Sequence, residues 1–500
     1  MDTANLRARI ARLNDQINAQ ERLLDQLKMS RDALLSELEC TATYPVLTLP
    51  PEIVSEIFFH CLSQPNFISQ DEAPLVLLKI CKKWTQIAKS TPSLWQTLYI
   101  DSERWEGSKN MKRLLSTMET WCDAAARQAH MPLTMLVHGP TDMDFSPFIG
   151  MLKALAPRIV SLDMCIWQDS IPLFKGHALQ LERLRELHFE LLDLSHPMVD
   201  FGILEDTIPD MFAAPDSLSK VVLRESTSMS ALTLPWKQLT EFRCESYTTT
   251  QVLQALRLLP NLIRLDATLS DGPEEESELA SHCHPNLQHL CVAMVELDDT
   301  SVVTRRRPFI DLLTLPKLQS LEMPFVGDAT LKAFFRRSEC PRLKKLQYRA
   351  SDHDHLDVFD SVEFTHEVNE LHLQYPSGPL LRLFAYWMAC REDFFPALEK
   401  LTIECRDFSP QEQHINDKEC TLGTLLFHGE IVIQGRNNDR PELFKNLAKI
   451  KVARLFLVYP SPNWMTPEVP EERLAPYRRF QHQGIDIFIG TEDSSLSLLS

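Results

Sequence analysis

One short phrase, Pro-x-Leu-x-x-Leu-x-apolar, recurs from about residue 157 onward and constrains the fold of this chain more than any other feature. It opens at Pro157 (Ile159, Leu162, Met164) and returns at Pro260 (Leu262, Leu265, Ala267), Pro285 (Leu287, Leu290, Val292) and Pro316 (Leu318, Leu321, Met323). Pro341 (Leu343, Leu346, Tyr348) and Pro396 (Leu398, Leu401, Ile403) complete the set, and the phrase without its proline starts at Leu184, Leu218, Leu239, Val368 and Val452. Leucine spacing alone would arise by chance roughly ten times in a segment this rich in aliphatics, but requiring the proline cuts that to about one, so the proline carries the signal. Successive starts from 159 to 398 lie 25, 34, 21, 23, 25, 31, 25, 25 and 30 residues apart. Between 398 and 452 one phrase is missing or degenerate, Leu422, Leu425 and Phe427 being a poor candidate.

Each phrase ends in apolar residues alternating with polar ones, the period of a strand with one buried face. Helix-like segments such as Thr250–Leu259 and Ala329–Arg337 lie between phrases. A strand and a helix alternating at this period resemble a leucine-rich repeat, which implies a curved solenoid with a parallel sheet on its concave side. The asparagine that such repeats carry after the strand is missing, so its hydrogen-bond ladder is not expected and irregular curvature is. In this register the residues flanking the second leucine face outward: Glu186 and His188, Glu241 and Arg243, Arg264 and Asp266, His289 and Cys291, Ser320 and Glu322, Lys345 and Gln347, Glu370 and His372, Lys400 and Thr402. Of these, Glu241, Arg243, Arg264, Asp266, His289, Glu322, Lys345, Glu370 and His372 are the candidate target-binding residues. Their mixed charge suits a protein partner.

A different pattern precedes the array. Leu49-Pro50-Pro51-Glu52-Ile53-Val54-Ser55-Glu56-Ile57-Phe58 reads as a helix start, because a proline in the first turn lacks only an N–H that has no intrahelical partner. Glu52 places negative charge where the helix dipole favours it. Leu77, Ile80, Cys81 and Trp84 repeat at helical spacing, Thr91-Pro92 ends that helix, and Pro92-Ser93-Leu94-Trp95 follows. A unit of about fifty residues cannot bury this much apolar surface internally, so part of it is expected to meet a partner. Leu-Pro-x-Glu-Ile, Cys-x-x-Trp and Pro-x-Leu-Trp in this order resemble an F-box, the helical module that docks substrate receptors onto SCF-type ubiquitin ligases. The resemblance covers about fifty residues, with a Gln64–Ala73 insertion longer than in many members. It implies that Leu49, Pro50, Ile53, Ile57, Leu78, Cys81 and Trp84 contact a Skp-family adaptor and, through it, a cullin. With the array, the whole is most similar to the F-box and leucine-rich-repeat proteins of mushroom-forming fungi.

Residues 6–38 carry Leu6, Ile10, Leu13, Ile17, Leu24, Leu27, Leu34 and Leu38 at alternating spacings of four and three, with Gln20 and Arg31 in the two remaining positions. That is a coiled-coil seam, which needs a partner: a second copy, giving a homodimer, or the chain's own F-box helices. Arg31 is expected to weaken its end of the seam. Cys40 to Val46 reads as a linker.

Net charge of −18 argues against nucleic acid as a partner, since phosphate binding needs a basic surface. Arg305-Arg306-Arg307 and Glu274-Glu275-Glu276 read as solvated loops. No secretory signal or long apolar run appears, so no membrane association and a cytoplasmic or nuclear location are expected. Twelve scattered cysteines fit reduced thiols. With 13 glycines in 500 residues, phosphate-cradling loops have little material, and no Walker, dinucleotide, Gly-x-Ser-x-Gly or kinase signature occurs. No catalytic residue, cofactor or metal is assigned; His282-Cys283-His284 with His289 and Cys291, and Asp352-His353-Asp354-His355, lack metal-site spacing.

The expected fold is mainly α/β: a coiled-coil helix (1–40), a small all-α F-box (45–98), a helical linker and solenoid entry (99–150), an irregular leucine-rich-repeat solenoid (151–490) and a disordered tail (491–500). The linker should hold a strand at Leu98-Tyr99-Ile100, a helix over Asn110–Gln128 and an alternating Leu133, Met135, Val137. A helix over Glu471–Gln483 and a strand over Ile485–Ile489 should close the array. The expected function is substrate recognition for an SCF-type ligase, the solenoid holding a protein target. The alternative is a non-ligase leucine-rich-repeat scaffold oligomerising through the coiled coil.

Overall fold

A computed structural model describes residues 3–499 apart from 42–47, 64–66, 102–107, 127–129, 139–145, 168–173, 175–176, 193–211, 213–215, 225–226, 228, 230–231, 271–279, 295–307, 325–327, 340–341, 350–364, 407–421, 438–446, 459–470 and 492–497. The Arg305–Arg307, Glu274–Glu276 and Asp352–His355 segments lie outside the described residues. The chain divides into two compact units, one of residues 1–96 and 116–129, the other of 97–115 and 130–500.

The first unit is helical. α1 (Thr3–Thr41) is one continuous helix, and α2 (Pro51–His60) starts at the expected prolines, with Pro50 as its N-cap. α2 carries two apolar stripes: Val54 and Phe58 are buried, while Ile53 and Ile57, about 100° around the helix, are exposed. The next helix departs from its expected single run. α3 (Leu77–Ile80) stops at Cys81, which is extended (φ −160°, ψ 164°) and serves as N-cap of α4 (Lys82–Ser90). Helical spacing therefore does not continue from Ile80 through Trp84. Thr85 Oγ1 donates to the carbonyls of Leu78 and Cys81, both at 3.0 Å, and so bridges the break. Phe58 packs on Trp84 with ring centroids 4.9 Å apart, and Trp95 packs on Trp121 at 5.8 Å while its Nε1 donates to Ala88 O. The Pro-Ser-Leu-Trp turn is thus core: Leu94 and Trp95 are fully buried.

The second unit is built on one 14-stranded parallel sheet whose strands follow chain order. It begins with β1 (Thr97–Asp101), β2 (Leu133–His138), β3 (Ile159–Trp167), β4 (Glu186–Leu192) and β5 (Lys220–Arg224). β6 (Glu241–Tyr247), β7 (Arg264–Leu269), β9 (His289–Met294), β11 (Ser320–Pro324) and β12 (Lys345–Arg349) continue it. β13 (Glu370–Gln374), β14 (Lys400–Arg406), β15 (Val452–Val458) and β16 (Asp486–Thr491) complete it, while β8 (His282–Cys283) and β10 (Leu313–Thr314) form a separate pair. The stretch read from sequence as a helical linker and solenoid entry (99–150) holds the expected strands at β1 and β2 with α5 (Ser108–Ala125) between them, and α6 (Ser146–Leu155) begins at its end. α7 (Thr249–Leu258), α8 (Asp328–Ser338), α9 (Gly378–Cys390), α10 (Leu422–Asn437) and α11 (Glu471–His482) lie between later strands. Leu422, Leu425 and Phe427 are in α10, and β14 pairs directly with β15, so no strand is skipped there.

The phrase now has a physical meaning. Leu259, Leu315 and Phe395 each accept a hydrogen bond from the N–H three residues on (Leu262, Leu318, Leu398), and a proline stands second in each turn. Proline's fixed φ suits that position and costs no hydrogen bond there. Just past each turn, one carbonyl accepts two N–H groups of the following repeat: Thr240 from Ile263 and Arg264, Ile263 from Gln288 and His289, Gln288 from Gln319 and Ser320. The series runs from Arg185 to Glu399, a backbone ladder at the strand starts where no asparagine ladder was expected after the strands.

The second leucines pair strand to strand, Leu265–Leu290–Leu321–Leu346–Leu371–Leu401, and each is at most 3% exposed. Register corrects the last phrase: Leu401 pairs with Ala453 and Ile403 with Leu455, so it starts at the buried Ile450 and places Val452 in an outward row. In the segment expected to be a disordered tail (491–500), Leu498 N–H donates to Ile489 O and Leu499 is buried; residues 492–497 lie outside the described residues.

His284, weighed above as a metal ligand, is a buried strut. Its Nε2 lies 2.8 Å from Leu259 O and its Nδ1 accepts the Leu287 N–H at 3.1 Å, which fixes the Nε2-protonated tautomer. His284→Ala strands two buried backbone groups and should cost about 2–4 kcal/mol. Chemical denaturation checks this; a loss under about 0.5 kcal/mol would contradict it.

A charged sheet face and an exposed apolar helix stripe as candidate functional sites

Because side chains alternate along a strand, sheet register stacks the outward residues into rows as strictly as the core leucines. One row runs Glu186–Lys220–Glu241–Arg264–His289–Ser320–Lys345–Glu370–Lys400; the next runs Asp163–His188–Val222–Arg243–Asp266–Cys291–Glu322–Gln347–His372–Thr402. All nine candidate target-binding residues occupy these two rows on one face.

They are not all brought together. Glu241, Arg243, Arg264 and Asp266 line a cavity of about 170 Å³ together with His188, Lys220, Arg224, Glu245 and the buried Val222. Its charges are paired within the sheet: Arg243 with Glu245 at 2.9 Å and Arg264 with Asp266 at 3.2 Å. His289 is next to Arg264 in the row, and burial, then the Arg264 charge, holds its pKa below the ordinary histidine value. Glu322, Lys345, Glu370 and His372 lie farther along. Gln347 Nε2 donates to Glu322 at 2.8 Å, Lys345 pairs with Glu370 at 3.3 Å, and His372 Nε2 lies 2.6 Å from Glu404.

The densest part of the face includes residues that sequence reasoning left out. Arg224 grips Asp163 with two bonds of 3.2 and 3.0 Å, and His188 sits 2.8 Å from Glu186 and 3.6 Å from Asp163. Lys220 Nζ meets the same Glu186 oxygen at 2.5 Å. Period-two counting could have found Asp163 and Lys220, which flank Leu162 and Val221 as Glu241 and Arg243 flank Phe242. Burial pushes the Asp163 carboxyl up, but the His188 hydrogen bond and Arg224 outweigh it and the pKa falls below 3.8. Glu186 follows the same logic through Lys220 and His188, below 4.5, and Asp163 raises the His188 pKa above 6.5 against the pull of burial.

The pH dependence follows from these directions. His188 contributes stability that is full below its ordinary value near 6.5 and lost as pH rises through the raised folded value. Asp163 and Glu186 contribute stability that is full above their ordinary range and lost as pH falls through the lowered values. An NMR titration should place His188 above 6.5, and Asp163→Asn and Glu186→Gln should each lower it. A His188 that titrates below 6.5 would contradict the geometry. Nearby Cys165 has its thiol pushed up to about 12 by burial and by Glu190, which keeps it protonated, the opposite of an activated nucleophile. The face is chemically suited to hold a polar, mixed-charge surface.

The sequence-derived adaptor residues all lie on the helical unit and differ in exposure. Ile53 is 51% and Ile57 39% exposed, Pro50 is exposed, and Leu49, Leu78, Cys81 and Trp84 are half-buried. Ile80, not among those seven, is also exposed. Trp84 packs on Phe58 and its indole Nε1 is buried, so it is in part structural.

No family model matches the chain, and no curated protein matches it. Among the described residues no helix is long and apolar enough to cross a membrane, and no cluster of three or more potential ligands could hold a metal ion.

Proposed function

We propose that this chain is a substrate-recognition subunit of an SCF-type ubiquitin ligase, with no catalytic role of its own. The helices around α2 are an F-box that docks on a Skp-family adaptor and, through it, on a cullin. The parallel sheet is the strand layer of a leucine-rich-repeat solenoid whose charged face holds a protein target.

The observation that carries this reading is the second apolar stripe of α2. Val54 and Phe58 already supply the helix with a core contact, so Ile53 and Ile57 are surplus to its folding. Apolar side chains left at 51% and 39% exposure beside the exposed Pro50 fit a docking surface, since a small unit that exposes such a stripe gains by covering it. The long charged face supports the other half, because strands added in sequence extend a surface without creating a closed pocket. Co-purification of the full chain with a Skp-family adaptor tests the proposal, and Leu49→Ala with Pro50→Ala should weaken it.

A second reading keeps the fold and drops the ligase: a leucine-rich-repeat scaffold oligomerising through α1. The exposed α1 seam favours it. A chain that self-associates yet ignores the adaptor would support this reading over the first.

A further inference from the structure

We infer that α1 pairs with α1 of a second copy of this chain, in register, as a parallel two-stranded coiled coil. The six seam side chains described, Ile10, Leu13, Ile17, Leu24, Leu27 and Leu34, are 51–63% exposed. That leaves them free of the chain's own F-box helices, the other partner the sequence allowed. Leu23 and Leu35, beside the seam, are exposed as well. Covering these eight side chains on each of two helices hides on the order of 1,200 Å² in all, the lower range for a specific interface.

Seam chemistry selects the number and direction of strands. In heptad terms Ile10, Ile17, Leu24 and Arg31 are at a, and Leu13, Gln20, Leu27 and Leu34 at d. Ile at a with Leu at d favours two parallel strands. In a parallel pair each polar seam residue meets itself: Gln20 faces Gln20, so the amides can bond, and Arg31 faces Arg31. The antiparallel frame that stacks Ile10 on Leu34 sets Gln20 against Leu24 and Arg31 against Leu13, twice each, spoiling four layers where the parallel frame spoils two. It also brings Glu21 against Glu21. Parallel edges carry no like-charged pair: Gln16 meets Glu21 of the other copy, Leu23 meets Lys28, and Ser30 meets Leu35.

The Arg31 layer is the apparent obstacle, and the structure relieves it. Arg31 Nη2 and Nε donate to one Asp32 carboxylate oxygen at 2.6 and 2.8 Å, so each arginine enters the layer with its charge balanced by its own chain. Parallel pairing brings both copies of Thr41 to one end of the stem, ten residues before each α2. The dimer would carry two copies of the charged sheet face, and a target with two matching sites would be held with an avidity beyond either face alone. The pairing does not depend on adaptor docking.

Light scattering on the full chain should give twice the 57.5 kDa chain mass. Leu13→Asp with Leu27→Asp should give a monomer whose main thermal transition is unchanged, both residues being exposed. For direction, Gln20→Cys under mild oxidation should yield a dimer whose disulfide maps to position 20 of both copies, which peptide mapping distinguishes from any cross-link through Cys40. Arg9→Glu should shift the dimer dissociation constant less than about threefold, since Arg9 meets Asn14 in the parallel frame but Glu37 in the antiparallel one. A monomeric wild type, which would leave the seam to a different protein, overturns the inference, as does a dimer that survives the double aspartate variant. No cross-link at position 20, or a tenfold weakening by Arg9→Glu, overturns the parallel direction.

Discussion

Leu321→Asp abolishes cooperative folding of the sheet-bearing unit, the largest effect expected of any single substitution here. Leu321 is fully buried and lies in register between Leu290 on β9 and Leu346 on β12. A carboxylate in that row has neither water nor a cation to offset its desolvation, which costs several kcal/mol. A domain is stable by only about 5–15 kcal/mol, so little margin remains. Leu321→Ala is the quantitative companion: lost burial plus the cavity should remove about 2–5 kcal/mol in chemical denaturation. A loss under about 1 kcal/mol for the alanine variant would mean that this row is not the core.

Ile53→Asp with Ile57→Asp gives the second large effect, on binding instead of folding. Both residues are exposed, so the helical unit should keep its far-ultraviolet spectrum and melting temperature, while adaptor affinity should fall at least about 100-fold, as for central residues of an apolar interface. Val54→Asp is the control with the opposite signature. Val54 is 1% exposed on the same helix, and its substitution should unfold the unit. Equal adaptor affinity in the wild type and the double aspartate variant would exclude this stripe as the docking surface.

These two predictions mark where the sequence was legible. Strands could be read because an apolar pair alternating with polar residues has few other uses, and the turn proline set their starts. The reading slipped at Val452, where two aliphatic residues two positions apart, Ile450 and Val452, fit the same template and only pairing with β14 decides between them. Cys81 was read inside a helix because spacing alone does not reveal a residue whose backbone is extended. The charged face was half visible. Alternation placed Glu241, Arg243, Arg264 and Asp266 outward, but which charges meet depends on register across neighbouring strands, so Arg224 on Asp163 and His188 between two carboxylates emerged only in three dimensions. The partner of the α1 seam was open in the sequence for a similar reason: a heptad stripe does not name what covers it, and the exposure of Ile10 to Leu34 shows that helices α2 to α4 do not.

The central claim is receptor function, and a calorimetric titration of the wild-type full chain with a purified Skp-family adaptor tests it most directly. The account predicts saturable binding with one adaptor per chain and a dissociation constant below about 1 μM, of the order that a stable, mainly apolar interface supplies. Absence of binding at tens of micromolar, with the chain folded, would contradict it.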